Sequence, residues 1–265
     1  MNYGFIEPVI TEDNYVYGDN RIGAVEPVLE EDQDWGEWDF ISDVQIKGFD
    51  TLNCTGFNTA QSVSKTIWRK FGIKFKPSPR WIGIIAGTDP KKGGNDPHTV
   101  CEAIRKYGLV SDEMLPWSDD IKTVEEYYSF KGADEKECRA EAKNWKNQYD
   151  FKHDWVFKPN EDMAVKKQKI KETLKYSPQG VAVYAWAQND KGEYIRLGKD
   201  THWTEIRAVR GNREVIDDSY KPFEKELVED FDLFYAKRYV INKAVPRKNW
   251  LLDLIERLYQ FITGK

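Results

Sequence analysis

Apolar residues recur at three- and four-residue steps after Asn53, which is the spacing of one face of an α-helix. These positions are Phe57, Ala60, Val63, Ile67, Trp68 and Phe71. Asn53 is a residue type that often caps a helix, and Gly72 is typical of a helix end. The pattern therefore predicts a helix that begins at Cys54 and ends before Gly72.

Three further stretches show the helical period. The stretch 97–107 follows Asp96, a good cap, and begins with Pro97, which suits the first position of a helix. A second stretch covers 162–176. The third, 249–262, carries its leucines and isoleucines on one face and its charges on the other, so it predicts an amphipathic helix.

From Gly180 onward the apolar period changes to two or to short apolar runs, which is typical of strands. The predicted strands cover 181–186, 193–197, 203–209 and 213–217. Helices that come first and strands that follow favour an α+β protein over a doubly wound sheet. We therefore expect a helical lobe followed by an antiparallel β lobe.

Composition along the chain suggests three parts. Residues 1–44 are rich in Pro, Gly, Asp and Glu, and we predict that they form an extended arm. The folded domain is expected over 45–240, with its helical lobe over 45–176 and its β lobe over 177–240. The segment 241–265 is expected to form a C-terminal amphipathic helix.

Three local features refine this division. The arm carries spaced aromatic residues that we expect to anchor it, namely Trp35, Trp38 and Phe40. A loop is predicted over 76–95, with a short apolar segment at 81–85. The charged stretch 119–157 has the composition of a partly helical insertion.

Composition also limits the function. Apolar residues make up 40% of the 265 residues and the net charge is −5, so the chain is predicted to fold and not to bind nucleic acid. Its three cysteines are an odd number, which favours a reducing compartment over a disulfide framework. No apolar run is long enough for a membrane span, and no basic leader precedes an apolar stretch. We therefore expect a cytoplasmic protein.

Cys54 is the first candidate for chemistry, because free N–H groups at a helix start favour a thiolate. A thiolate nucleophile needs a base and a polar group that orients the base. The chain has only three histidines. His202 opens one predicted strand and Asp218 follows the next one, so an antiparallel hairpin would bring their ends together.

At these residues the chain resembles the papain-like cysteine peptidases. Cys54-Thr55-Gly56-Phe57 resembles the family's Cys-Trp-Ala-Phe, and Asp218-Ser219-Tyr220 resembles its Asn-Ser-Trp. Further elements are similar to family elements in the same order. They are the glycine pair Gly93-Gly94, the helix after it, Leu115-Pro116-Trp117 and the segment 176–186. The resemblance covers roughly 42–225.

The resemblance implies a role for each matching residue. Cys54 would be the nucleophile, His202 the general base and later acid, and Asp218 the group that orients the imidazole. Gly93 and Gly94 match the glycines that line the family's substrate cleft. It also implies cleavage of peptide bonds in a peptide or protein substrate, with no cofactor and no metal.

Two departures from the family pattern concern catalytic groups. Asp218 stands where the family has Asn, and Asp217 beside it is a competing choice. The family's oxyanion-hole glutamine would fall on Gly48, which has no side chain. Gln45 fills this role only if 46–52 forms a loop three residues longer than usual.

Two alternative functions remain open. A Cys-His-Asp amidase or acyltransferase uses the same order of groups. The other is a catalytically weak or inactive domain that acts as a structural component. Two observations favour it. The glutamine is displaced, and only 44 residues precede the matching region, where the family has an inhibitory propeptide. Compact members encoded by bacteriophages or bacteria are similar in size. A virion-associated protein would bind its partner through 1–44 and the C-terminal helix.

Overall fold

The computed structural model describes residues 3–18, 27–29, 34–39 and 44–244. The predicted C-terminal helix over 249–262 lies outside the described residues, as does Phe40. Within the described ranges, no helix is long and apolar enough to cross a membrane.

The helices lie mainly in the first two thirds of the described chain, as the sequence predicts. The α-helices are α1 Cys54–Phe71, α2 Pro79–Ala86, α3 Pro97–Tyr107, α4 Val124–Tyr127, α5 Glu135–Gln148 and α6 Met163–Leu174. Two short 3₁₀ helices cover Trp35–Trp38 and Pro90–Lys92.

Most strands follow α6. In chain order they are β1 Gly4–Phe5, β2 Gly94–Asn95, β3 Tyr149–Trp155, β4 Gln179–Val183, β5 Ala187–Gln188, β6 Tyr194–Ile195, β7 His202–Arg210, β8 Arg213–Asp217, β9 Glu224–Glu226 and β10 Ala236–Lys243.

A six-stranded antiparallel sheet organises the second half, in the order β3-β10-β4-β7-β8-β9. β1 and β2 form a separate parallel pair, and β5 and β6 a short antiparallel one. Helices first and an antiparallel sheet second confirm the predicted α+β class. β10 runs to Lys243, three residues beyond the boundary predicted for the β lobe.

The two best-defined helix predictions are confirmed. α1 begins at Cys54 and ends at Gly72, which adopts φ 69°. α3 begins after Asp96, whose carboxylate accepts hydrogen bonds from the first-turn N–H groups of His98 and Thr99. One detail of α1 is wrong: Asn53 makes no side-chain cap, because its amide donates elsewhere.

Two regions differ from the prediction. The segment predicted as loop at 81–85 lies inside α2, because Ser78 caps a helix there and Pro79 occupies its first position. The stretch 119–157 contains α4 and α5 as expected, but it ends in β3, an edge strand of the main sheet. The last part of this stretch is therefore part of the domain core and not an insertion.

The two largest hydrophobic clusters pack different helices against the main sheet. The first packs α1, α2, α3 and α5 against β3 and β10. The second packs α6 against β4, β7 and β8 and includes Trp35 from the arm. Trp35 is fully buried and its indole N–H donates to the carbonyl of Leu174 over 2.7 Å, so this predicted anchor holds the arm to its own chain.

A buried charge cluster joins α1 to the sheet. The Lys65 ammonium on α1 binds Glu205 on β7, and it binds Asp217 at the end of β8 over 2.6 Å. Asp39 of the arm lies 3.5 Å from the same nitrogen. The Ser62 hydroxyl donates to the second oxygen of Glu205. Burial raises the pKa of Glu205 and of Asp39 to about 7 each, while the Lys65 ammonium acts in the opposite direction.

Arg80 organises the chain that follows α3. Its buried guanidinium donates to five backbone carbonyls, those of Pro116, Glu126, Tyr127, Ser129 and Lys131. An arginine offers five donors in a fixed fork, whereas a lysine offers three. This one side chain therefore fixes the turns around α4.

We expect Arg80→Lys to lower the free energy of unfolding by about 2–4 kcal/mol, because it leaves buried carbonyls without donors. Urea unfolding followed by circular dichroism measures the loss. Arg139→Lys is the matched control, since Arg139 makes an exposed pair with Glu135 and such pairs contribute less than about 1 kcal/mol. Equal effects of the two substitutions would contradict the role given to Arg80.

Candidate active site

Cys54 lies at the N-terminus of α1 and is completely buried. Burial raises the pKa of its thiol above the ordinary value, while backbone hydrogen bonds from Trp203 and Thr55 act in the opposite direction. The sequence predicts a lowered pKa at this helix start. The structure shows the reverse, because water is excluded from the sulfur and the charged form loses its hydration.

His202 and Asp218 lie side by side. His202 begins β7, Asp218 directly follows β8, and the imidazole Nε2 is 2.6 Å from Asp218 Oδ1. Both side chains are buried. The other imidazole nitrogen, Nδ1, is also buried and has no hydrogen-bond partner among the described residues. Since Trp203 contacts the Cys54 sulfur through its backbone, the sulfur lies next to the residue that follows His202.

Lys225 was not found from the sequence. Its ammonium lies 2.7 Å from Asp218 Oδ2, on the side of the carboxylate away from His202. Burial alone would raise the pKa of Asp218, but the neighbouring His202 and Lys225 lower it below its ordinary value. Lys225 lies on β9, and no local pattern marks it, because only the turn after β8 brings it back to the site.

Asp217 faces a different partner from Asp218. Its carboxylate binds Lys65 in the buried charge cluster, whereas the Asp218 carboxylate binds His202. Strand alternation sends neighbouring side chains to opposite faces. The two adjacent aspartates therefore belong to separate networks.

Gln45 is buried beside this pair of strands. The loop after it turns at Gly48, which adopts φ 80°, and closes with a bridge between Ile46 and Asp50. The loop 46–52 thus folds back on itself and separates Gln45 from the start of α1. The side-chain amide donates to the carbonyl of Tyr3 over 3.0 Å, and its oxygen accepts from the Ser219 hydroxyl over 3.0 Å.

The two glycines differ in their contacts. Gly93 closes the 3₁₀ helix with φ 86°, which is a turn role. Gly94 belongs to β2 and pairs with Gly4 of the arm in parallel register. A Cβ on Gly94 would lie 2.0 Å from the Gly4 carbonyl oxygen, so only glycine permits this approach.

The first described residues of the arm lie across the site. The Tyr3 N–H donates to the carbonyl of Thr201, and its ring meets the His202 ring edge-on at 6.2 Å. Phe5 is buried and stacks on Trp203 at 5.7 Å. Phe5 shares a hydrophobic cluster with Cys54, and Tyr3 contacts His202, so the first described residues of the arm cover this part of the site.

No metal is suggested by the geometry. Among the residues that the structure describes, no three His, Cys, Asp or Glu side chains are placed to hold an ion. All three cysteines are free and buried.

Comparison with known proteins gives a fold but no sequence relative. No family model matches the sequence, and no curated protein matches it. Xylellain, a cysteine protease from Xylella fastidiosa, is similar in structure with a TM-score of 0.60 and 16% identity, over 92% of this chain and 97% of its own.

Two further solved structures agree. Digestive procathepsin L 3 of the Tenebrio molitor larval midgut matches with a TM-score of 0.58 and 11% identity, over 90% of this chain and 76% of its own. The bromelain protease from Ananas comosus, solved with the E64 inhibitor, matches with a TM-score of 0.54 and 15% identity, over 80% and 99%. The chain therefore has the papain-like α+β fold that its motifs predict.

Proposed function

We propose that this chain is a papain-like cysteine peptidase that cleaves a peptide bond through an acyl-enzyme. The observation that carries the proposal is the buried His202–Asp218 pair, whose imidazole keeps one nitrogen without a partner among the described residues, while the backbone of the next residue, Trp203, contacts the Cys54 sulfur. A base that is oriented on one side and open on the other is what a thiol nucleophile requires.

In the proposed reaction, His202 Nδ1 takes the proton from Cys54 and the sulfur attacks the carbonyl carbon of the scissile bond. The oxyanion accepts hydrogen bonds from Gln45 and from the backbone N–H of Cys54. The imidazolium then gives its proton to the leaving amine, which departs and leaves a thioester. Water, deprotonated by His202, attacks the thioester and releases the acid and the free thiol.

The contact between Gln45 and the arm supports its role. The amide of Gln45 donates to a peptide carbonyl, that of Tyr3, which is the same chemical group as the carbonyl of a substrate. Gly94 similarly pairs with the backbone of Gly4. These two contacts with the arm support the proposal that the cleft binds a peptide backbone near Gln45 and Gly94.

The same contacts make the described conformation latent. In this proposal, residues 3–6 lie where a substrate backbone would bind, since Gln45 and Gly94 contact Tyr3 and Gly4, and Phe5 packs with Cys54. The arm must leave the cleft before the thiol can react. An inactive structural domain, the second candidate, would keep this arm in place permanently, so movement of the arm separates the two functions.

We expect Cys54→Ala to abolish hydrolysis of a fluorescent casein substrate in reducing buffer. Gln45→Ala should lower kcat on the order of 100- to 1000-fold, because it removes one oxyanion donor. Cys101→Ala, which changes a buried cysteine in the helical core, is the control and should keep the activity. Hydrolysis that persists in Cys54→Ala would contradict the proposal, and bond cleavage that needs an added amine as the acyl acceptor would indicate an acyltransferase.

We expect Gly4→Ala to release the arm. Gly4 has φ 102°, and a Cβ there would lie 2.3 Å from the Leu52 carbonyl oxygen. The strain and the clash together exceed about 1.4 kcal/mol, so Cys54 should react with iodoacetamide roughly 10-fold faster or more. Mass spectrometry of the alkylated peptides gives the rate.

Gly18→Ala is the matched control for this substitution. Gly18 lies in the same arm with φ 94° and has nothing within 4 Å of an added Cβ. It therefore adds similar backbone strain without a clash in the cleft, and its alkylation rate should stay near that of the wild type. Equal rates for Gly4→Ala and the wild type would show that the arm does not control access to Cys54.

A further inference from the structure

The carboxylate of Asp218 is shared between an imidazole and an ammonium. One oxygen lies 2.6 Å from His202 Nε2 and the other 2.7 Å from the Lys225 ammonium. All three side chains are buried. Asp218 is therefore one half of a buried ion pair, and the same carboxylate also orients the imidazole.

Lys225 is held by its surroundings as firmly as Asp218. Besides the carboxylate, its ammonium donates to the backbone carbonyls of Tyr220 and Pro222. An ammonium has three donors, and all three are used here. The nitrogen also lies 4.8 Å from the centre of the Trp186 ring. Such a lysine cannot swing away without leaving three acceptors and one charge unpaired.

We propose that Lys225 is a positioning residue that cancels the charge of Asp218, so that the carboxylate orients His202 as a neutral amide would. This inference rests on the proposed function. It explains how an aspartate serves at a position where the resembling peptidases have an asparagine. The pair offers His202 one acceptor oxygen and little net charge.

The sign of the effect follows from electrostatics. An uncompensated carboxylate beside an imidazole stabilises the imidazolium and raises its pKa by about 1–3 units. An ammonium on the far side of that carboxylate opposes this effect. Burial makes both influences stronger, since little water screens them.

Other titratable groups also face this site. Tyr194 and Tyr220 lie near the Asp218 carboxylate, Asp217 acts on Lys225, and Asp50 acts on both Cys54 and Tyr220. Burial lowers the pKa of Lys225 while Asp218 raises it, and the net shift is downward. None of the other groups touches the imidazole Nε2 in place of Asp218, so exchange at positions 218 and 225 isolates the pair.

The experiment is a charge cycle read from the pH titration of His202. With only three histidines in the chain, the imidazole ¹⁵N and ¹H resonances of the full-length protein can be assigned by substitution. Lys225→Met should raise the titration midpoint of His202 by about 1–2 units, because Asp218 becomes uncompensated. Asp218→Asn should lower it, because Lys225 becomes uncompensated.

The double variant Lys225→Met/Asp218→Asn should return the midpoint toward the wild-type value, since no unpaired charge remains. Lys225→Arg should also keep it. Lys167→Met is the matched control, because Lys167 pairs with the buried Glu214 on the same sheet over 2.9 Å but does not contact the site. It should leave the His202 midpoint unchanged.

A purely structural role would change stability without these opposite shifts. An unchanged midpoint in folded Lys225→Met, or shifts of the same sign in the two single variants, would overturn the inference. If Lys225→Met does not fold, Asp218→Asn and the double variant decide, and a double variant that titrates far from the wild type overturns it. If the His202 midpoint shifts as expected but neither the wild type nor Gly4→Ala hydrolyses casein, the result contradicts the proposed peptidase function and not the inference about Lys225.

Discussion

One buried ammonium, that of Lys65, fixes the helix that begins at Cys54 against β7 and β8. It binds Glu205 on β7 and Asp217 on β8, and these strands present His202 and Asp218 at their ends. A buried charge is costly unless every partner is in place, so the helix and the strands cannot slide past one another at low cost. The relative position of Cys54, His202 and Asp218 therefore depends on this charge cluster.

Local signals account for what the sequence predicts well. α1 carries a regular apolar face and is followed by a glycine that ends the helix. The sequence predicts β8 with its observed bounds, because a tight turn precedes the strand and its side chains follow a period of two. The sequence does not predict β3 as a strand of the domain, because its partner, β10, lies far along the chain. Lys225 could not be found because no local pattern marks it, and only the turn after β8 brings it to Asp218. Gln45 was singled out only through the resemblance, and the structure shows which groups its amide contacts.

Two opposing effects act on the thiol of Cys54, and their balance depends on the arm. The helix start favours the thiolate, as does the backbone N–H of Trp203, whereas exclusion of water favours the thiol. In the covered state the second effect is larger. Under the proposed release of the arm, the same sulfur would regain its hydration and the thiolate would become more favourable, although its place in the fold would not change.

The arm that covers the site is covalently attached to it. A tethered segment of this length competes at an effective concentration on the order of millimolar, which does not fall when the protein is diluted. A free peptide must exceed that advantage by its own affinity or concentration. Under the proposed function, events that cut or bind the arm would control access to Cys54, and the protein concentration would have little influence on whether each molecule is open.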